Sequence, residues 1–371
     1  MKNPLRILVV YPYLHHYRRA VFTELDRDSR FEFTFVSDIQ GSHGIPSFDP
    51  SNLKRHIRVR TIHIFHLTFQ PQLLRVLKKG NYDQVIFLGD VYSPSTWLAA
   101  WLCKKKGIKT YMWTIGWHRP EQGIRSKVRL AFYRISDGLM LYGNVGRTIG
   151  IQLGFPEEKM HVIGNSIGKA DSIDAGQIFG QNEIDDKAIY VGAVARINFV
   201  KRFDLLVEAV ALLRNSGLDI RVILVGAGAE KYQLIKQAQD LAVPLLVKPS
   251  LYSDEQLSQV YEVLSITVVP AAVGLTAIQS VRFGTPVISN DDMYGQMPEW
   301  EAIIHGSTGA QYTKGDPSDL ATKIKYLLSQ SGLNMTTIES NCLREYSEHW
   351  SPQQHAQRIT TVLNQESRAT K

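Results

Sequence analysis

Cysteine is scarce in this chain of 371 residues: only Cys103 and Cys342 occur. They lie far apart and in no metal-ligand spacing, which argues against a disulfide framework and points to a reducing compartment. Long apolar runs are missing as well. No window approaches the roughly eighteen apolar residues of a membrane-spanning helix. The apolar core of the opening "MKNPLRILVVYPYL" is only Ile7 to Val10, too short for a signal-peptide core. A cytoplasmic location is therefore the expectation. No short-period repeat and no low-complexity tract interrupts the chain. No helix-turn-helix, zinc-finger or RNP-like pattern is present, which argues against nucleic acid as a partner. Acidic residues are scarce in one region. Residues 51–150 hold 17 Lys+Arg against 4 Asp+Glu, while residues 151–371 hold 19 against 25. A basic first half with interleaved aromatics fits a solvated basic face or an anionic membrane surface.

What is present is ordinary globular material, 44% hydrophobic and 21% charged. Short apolar runs alternate with helical patterns. "RILVVYP", "FEFTFVS", "QVIFLGD", "KTYMWT" and "GLMLYG" read as strands. "HYRRAVFTELDR", "SPSTWLAAWLCKKK" and "SKVRLAFYRIS" read as helices between them. This rhythm predicts a parallel sheet with helices on both faces. A segment rich in Gly, Ser and Asp breaks it, and the rhythm restarts at "AIYVGAV". The expected fold is α/β, two doubly wound Rossmann-like domains facing across a cleft. The first domain covers residues 1–166, the linker 167–186 and the second domain 187–350. A C-terminal helix, 351–371, opens with Ser351-Pro352 and is expected to cross back to the first domain. In such sheets ligands bind beyond the carboxyl ends of the strands.

Three stretches of the second half sit at such ends. In "YVGAVARINFVKRF" a polar loop follows a strand, and Arg196 and Lys201 flank it. Two cations there suit a diphosphate, Arg as a fork and Lys as a point charge. In "VILVGAGAEK", Gly226 and Gly228 permit a tight turn, either beside a ligand or as plain turn chemistry. In "VVPAAVGLTAIQSVRFGTPVIS", Gly274, Leu275 and Thr276 open a helix whose free N–H groups suit a phosphate. Gln279 lies one turn further in. No carboxylate occurs from Pro270 to Arg282. In the first half, Tyr13, His15, His16, Tyr17, Arg18 and Arg19 follow the first strand as candidate acceptor or phosphate ligands, or as exposed basic groups at a helix start. Asp90 falls just past a strand end, and His118 lies in the loop after the next strand. The pair Asp26 and Asp28 has metal-binding spacing but falls at a helix end, remote from any strand mouth, and is set aside.

These motifs resemble those of GT-B glycosyltransferases, in particular glycosyltransferase family 4 (group 1) of the bacterial polysaccharide type. "VARINFVKRF" is similar to the family's phosphate-binding loop through Arg196 and Lys201. "AAVGLTAIQSVRFGTPV" matches the family signature at Gly274, Leu275, Gly284, Pro286 and Val287. "QMPEWEAIIHGSTG" resembles a third segment at Pro298, Glu299, Gly306 and Gly309. The match covers about residues 187–330. Two family glutamates fall on Ala271 and Gln279, which removes charge from the donor site.

The resemblance implies transfer of a sugar from a nucleoside-diphosphate donor, a UDP or GDP sugar, to a glycan or lipid-linked acceptor. It implies retention at the anomeric carbon, a role in surface polysaccharide biosynthesis, and no required metal or other cofactor. Arg196, Lys201, Gly226, Gly274, Leu275, Thr276 and Gln279 would hold the donor. Catalysis would involve His118, Asp90, Arg196 and Lys201. The acceptor would meet Tyr13, His16, Arg18 and Asp90. Trp97, Trp101, Lys104, Lys105, Lys106, Arg125, Lys127 and Arg129 could rest peripherally on the anionic inner face of the cytoplasmic membrane. The alternatives are a nucleotide-sugar 2-epimerase of the same fold and a non-catalytic nucleotide-sugar-binding assembly subunit.

Overall fold

The computed structural model describes residues 3–39, 47–169 and 176–368. Part of the expected linker, residues 170–175, lies outside the described residues. The chain forms two compact units, one of residues 1–168 with 351–371, the other of residues 169–350.

The first unit is built on a parallel sheet of seven strands: β1 (Leu5–Tyr13), β2 (Phe31–Asp38), β3 (His56–Arg58), and, after a small antiparallel hairpin of β4 (Ile62–Ile64) and β5 (Leu67–Phe69), β6 (Gln84–Leu88), β7 (Lys109–Thr114), β8 (Gly138–Leu141) and β9 (Met160–Val162). Its strand order is β3-β2-β1-β6-β7-β8-β9. Helices α1 (Arg19–Arg27), α2 (Leu73–Lys79), α3 (Pro94–Lys105), α4 (Gly123–Tyr133) and α5 (Asn144–Gln152) connect the strands.

The near-continuous apolar run of β1 is what a strand buried on both faces requires. Alternate residues feed opposite layers. Ile7, Val9 and Tyr11 pack with Val21, Phe22 and Leu25 of α1 and with Ile359 and Leu363 near the C-terminus. Leu8 and Val10 pack on the other side with Leu73, Ala99, Phe132 and Ile149.

The second unit repeats the plan with six strands: β10 (Ile189–Val194), β11 (Ile220–Val225), β12 (Leu245–Lys248), β13 (Leu264–Val268), β14 (Val287–Asn290) and β15 (Gly309–Tyr312). The order is β12-β11-β10-β13-β14-β15, all parallel. Helices α6 (Phe203–Asn215), α7 (Lys231–Asp240), α8 (Asp254–Val263), α9 (Leu275–Arg282) and α10 (Pro317–Glu345) connect and flank them. Ser253 caps α8 by accepting from the Gln256 amide at 3.2 Å. The last helix, α11 (Pro352–Arg368), belongs to the first unit.

In each sheet the chain winds outward from one central strand, returns, and winds the other way. The reversal falls between β1 and β6 in the first unit and between β10 and β13 in the second. Loops leaving neighbouring strands diverge there and open a crevice at the carboxyl ends. Both cysteines are buried thiols, and burial pushes Cys103 up to about 11 and Cys342 up to about 12. At neutral pH they are inert hydrophobes.

Candidate functional site

The crevice of the second unit is bordered by the loops after β10 and β13. The first runs from Ala195 to a short turn at Phe199–Lys201. Arg202 is left-handed at φ 54°, which stops that turn so that α6 can start at Phe203. Lys201 turns inward across the crevice. Its Nζ donates to the carbonyls of Ala272 at 2.5 Å and Val273 at 3.2 Å, and its own carbonyl accepts from the Ala271 amide at 3.1 Å. One lysine therefore stitches the two loops together. Burial lowers its pKa to about 8, against a raising influence from Glu299 and a further lowering by Arg196. Arg196 is exposed and close enough for its charge to be felt. The cations expected from the sequence are thus brought together.

The second loop, Val269 to Gly274, is held group by group. The Pro270 carbonyl accepts from Asn290 Nδ2 at 2.7 Å and from the Tyr312 hydroxyl at 2.9 Å. The Val273 amide donates to Gln296 Oε1 at 2.8 Å, and Gln296 Nε2 donates to Ser289 Oγ at 2.8 Å. Asn290, Gln296 and Tyr312 are positioning residues that the sequence reading missed. Each is a lone polar side chain carrying no motif. Ala272 (φ 43°) and Gly274 (φ 58°, ψ −149°) carry the bend. The conformation of Gly274 is one essentially reserved for glycine, and only Met297 Cγ, at 3.9 Å, would approach a β-carbon there. Glycine is needed for its backbone, and the space above it stays open.

Helix α9 starts from this bend. The Thr276 hydroxyl donates to the Val194 carbonyl at 3.2 Å and ties the helix start to the end of β10. The amides of Gly274, Leu275 and Thr276 donate to no group among the described residues. Free N–H groups at the positive end of a helix, flanked by two cations, suit an anion. Gln279 is half-buried one turn on, and its amide makes no hydrogen bond among the described residues. Ala271 offers only its backbone and a methyl group. Glu299, 4% exposed in the turn Pro298–Ala302, acts electrostatically on Lys201 from below the loop.

Gly226 and Gly228 have a different explanation from close approach to a ligand. A β-carbon on Gly226 would lie 2.0 Å from the Ala195 carbonyl oxygen, and one on Gly228 would lie 1.9 Å from that of Ile197. These glycines let the loop after β11 press on the loop that carries Arg196. Gly226→Ala is expected to cost on the order of 3 kcal/mol, because backbone cannot yield as a side chain does. A thermal melt indistinguishable from the parent would refute the packing argument.

In the first unit, the residues expected at the acceptor site separate into two groups. Tyr13 is 8% exposed; its hydroxyl bonds to His63 Nε2 at 2.9 Å and its ring stacks on that histidine. Burial, and then Asp38, raise its pKa. Arg18, expected as an acceptor ligand or else as an exposed base, is 6% exposed. It donates to Asn165 Oδ1 at 2.8 Å and to the Tyr142 hydroxyl at 2.5 Å, and its guanidinium lies over the rings of Tyr142 and Trp113. Arg18 also helps hold His355, whose own burial is the main cause, well below the ordinary histidine range. Both residues are built into the unit, Tyr13 as the last residue of β1 and Arg18 in the turn that leads into α1.

His16, Asp90 and His118 remain accessible. His16 and His118 are exposed, in the loops after β1 and β7, and Asp90 is half-buried after β6, accepting from the Tyr92 amide at 3.0 Å. Asp26 accepts from the Lys54 amide at 2.7 Å, and Asp28 pairs with Arg30.

Comparison with known proteins bears on the fold. Residues 174–344, nearly all of the second unit, match the family described as glycosyl transferases group 1. No curated protein matches the chain. Among solved structures, the lipopolysaccharide outer core galactosyltransferase WaaB is similar with a TM-score of 0.71 at 14% identity, over 98% of this chain and 100% of that one. HepE from Anabaena, solved in complex with UDP, has a TM-score of 0.69 at 16% identity, over 98% and 100%. A glycosyltransferase from Rickettsia africae has a TM-score of 0.73 at 16% identity, over 97% and 98%. The fold is the GT-B fold with its two Rossmann-like domains, and the match to the group 1 family together with that fold supports a glycosyltransferase.

Proposed function

We propose that this protein moves a sugar from a nucleoside-diphosphate sugar to a glycan or lipid-linked acceptor, with retention at the anomeric carbon, in surface polysaccharide biosynthesis. The observation that carries the reading is the convergence of Arg196, Lys201 and the free amides of Gly274, Leu275 and Thr276 at the switch point of the second sheet. A diphosphate there meets two cations and three oriented N–H donors. These same groups stabilise the charge that develops on the leaving diphosphate. HepE was solved with UDP and with UDP-glucose, which favours a UDP sugar as the donor. His16, Asp90 and His118 are the proposed acceptor-side and catalytic groups of the first unit.

Among the described residues no helix is long and apolar enough to cross a membrane. Peripheral contact is proposed through α3 and α4. Trp101 is 45% exposed there with Lys105 Nζ 4.1 Å above its ring, and Lys104, Lys106, Arg125 and Lys127 are exposed.

The lack of a carboxylate at Ala271 and Gln279 favours one second reading, a subunit that binds nucleotide sugar without transferring it. A thermal-shift screen with UDP, GDP, CMP and dTDP sugars, followed by a transfer assay with the stabilising donor, separates the two. A donor that raises the melting temperature without product supports the subunit; the absence of any shift overturns both. Gln279→Glu adds a charge-assisted hydrogen bond to a ribose diol and is expected to tighten donor binding about fivefold to tenfold. An unchanged or weaker affinity by calorimetry would show that the amide is the better group.

A further inference from the structure

The hairpin of β4 and β5 leaves apolar side chains in solvent at its outer end. Its register pairs Ile62 with Phe69, His63 with Thr68, and Ile64 with Leu67. The polar pair turns toward the first unit. His63 stacks on Tyr13 and bonds to its hydroxyl, and Thr68 is buried with its Oγ1 3.3 Å from His63 Nδ1. Thr61 Oγ1 and Gln70 Nε2 donate to the carbonyls of Pro12 and Tyr11 and fasten both ends of the hairpin to β1. Of the apolar pairs, Ile62 and Phe69 are half-buried, while the outer pair lies in solvent, with Ile64 51% and Leu67 38% exposed.

At the tip Phe65 is 97% exposed and sits at φ 52°. Tight hairpin turns place Gly or Asn at such a position. A bulky residue held there at conformational cost, with its ring in solvent, is an outlier that calls for a functional reason.

The surroundings select the partner. Residues 50–82 contain no Asp or Glu and seven Lys+Arg. Arg58, Arg75 and Lys79 line a groove of about 440 Å³ between the end of β3 and α2, floored by Ile57, Val76 and Tyr82. The Arg60 amide donates to Gln72 Oε1 at 3.1 Å and joins the base of the hairpin to the wall of that groove. Arg58 has Asp38 at 3.7 Å, while Arg75 and Lys79 make no ion pair among the described residues. Apolar side chains on a finger beside such a cationic groove suit the boundary between acyl chains and anionic headgroups.

We propose that the hairpin is a membrane finger: Ile64, Phe65 and Leu67 enter an anionic lipid bilayer while Arg58, Arg75 and Lys79 meet its headgroup phosphates. This contact is separate from the α3–α4 face and does not depend on sugar transfer.

The test uses the full chain without any nucleotide sugar. Both native cysteines are buried, so Phe65→Cys takes an environment-sensitive fluorophore selectively. With phosphatidylglycerol-containing vesicles the emission should shift to the blue and be quenched by brominated acyl chains; with pure phosphatidylcholine both effects should be weak. Phe65→Gly should lower vesicle partitioning about tenfold, the worth of burying one phenyl ring, without lowering the melting temperature. Arg58→Gln with Arg75→Gln and Lys79→Gln should abolish the preference for the anionic lipid. Absence of any vesicle binding overturns the proposal. So does binding that leaves the probe at position 65 unchanged, which places the contact elsewhere. So does a blue shift that grows with protein concentration in the absence of vesicles, which makes the occupant a second copy of the chain.

Discussion

Arg196→Ala lowers the affinity for a nucleoside diphosphate by roughly tenfold to a hundredfold and leaves the melting temperature unchanged. The magnitude is that of a hydrogen bond to a charged group. The unchanged stability follows from its surroundings: the side chain is exposed and makes no hydrogen bond among the described residues. Lys201→Ala loses affinity to a similar degree but also lowers the melting temperature. Its ammonium supports the carbonyls of Ala272 and Val273 in a loop that includes a left-handed alanine. The contrast separates a group that serves the ligand from one that serves both ligand and loop. Calorimetric titration with UDP and GDP, paired with thermal melts, reads both quantities. Unaltered affinity in Arg196→Ala contradicts the diphosphate assignment.

The second large effect is a pH dependence carried by Lys201. Its pKa falls from the ordinary lysine value of 10.5 to about 8 in the folded protein. Between those values the unfolded chain holds a proton that the folded chain has released, so stability rises with pH across that window. Below about pH 8 the buried charge costs folding roughly 3 kcal/mol relative to an unshifted lysine. Lys201→Met removes this rise. Donor affinity runs the opposite way, because a diphosphate prefers the ammonium. Affinity therefore falls above about pH 8, and binding near pH 9 takes up close to one proton. Titrations in two buffers of different ionisation enthalpy count that proton. Binding without proton uptake, or a Lys201→Met protein with the parent's pH–stability slope, contradicts the electrostatic reading.

Much of the scaffold was legible because it is written in periodic patterns. The apolar runs of β1, β6, β7, β10, β11 and β13 announce buried parallel strands. Arg196, Lys201 and Gly274 stood out because cations or a glycine at a strand's carboxyl end have few structural reasons to be there. Other parts carry no such signal. The run "VPLLVK" that forms β12 and the short β15 were passed over, since edge strands of this length look like loops until a neighbour pairs with them. The β4–β5 hairpin was missed because its turn residues are Phe and His rather than Gly or Asn. The burial of Arg18 and Tyr13 carries no signal for the opposite reason: a polar side chain at or after a strand end looks exposed until partners such as Asn165, Tyr142 and His63, far away in sequence, fold over it. The supports of the loop before α9, Asn290, Gln296 and Tyr312, come from the ends of β14 and β15 and the loop between them, and spacing along the chain cannot reveal that they converge.

The central claim is that a nucleoside diphosphate sits on the amides that open α9, between the loops of Arg196 and Lys201. Amide hydrogen–deuterium exchange, with and without saturating UDP or GDP, addresses it residue by residue. Exchange should slow at Gly274, Leu275 and Thr276 and in residues 195–201, with little change elsewhere in the second sheet. Bound nucleotide that leaves those three amides exchanging at their free rate, or that protects a different strand end instead, would contradict it.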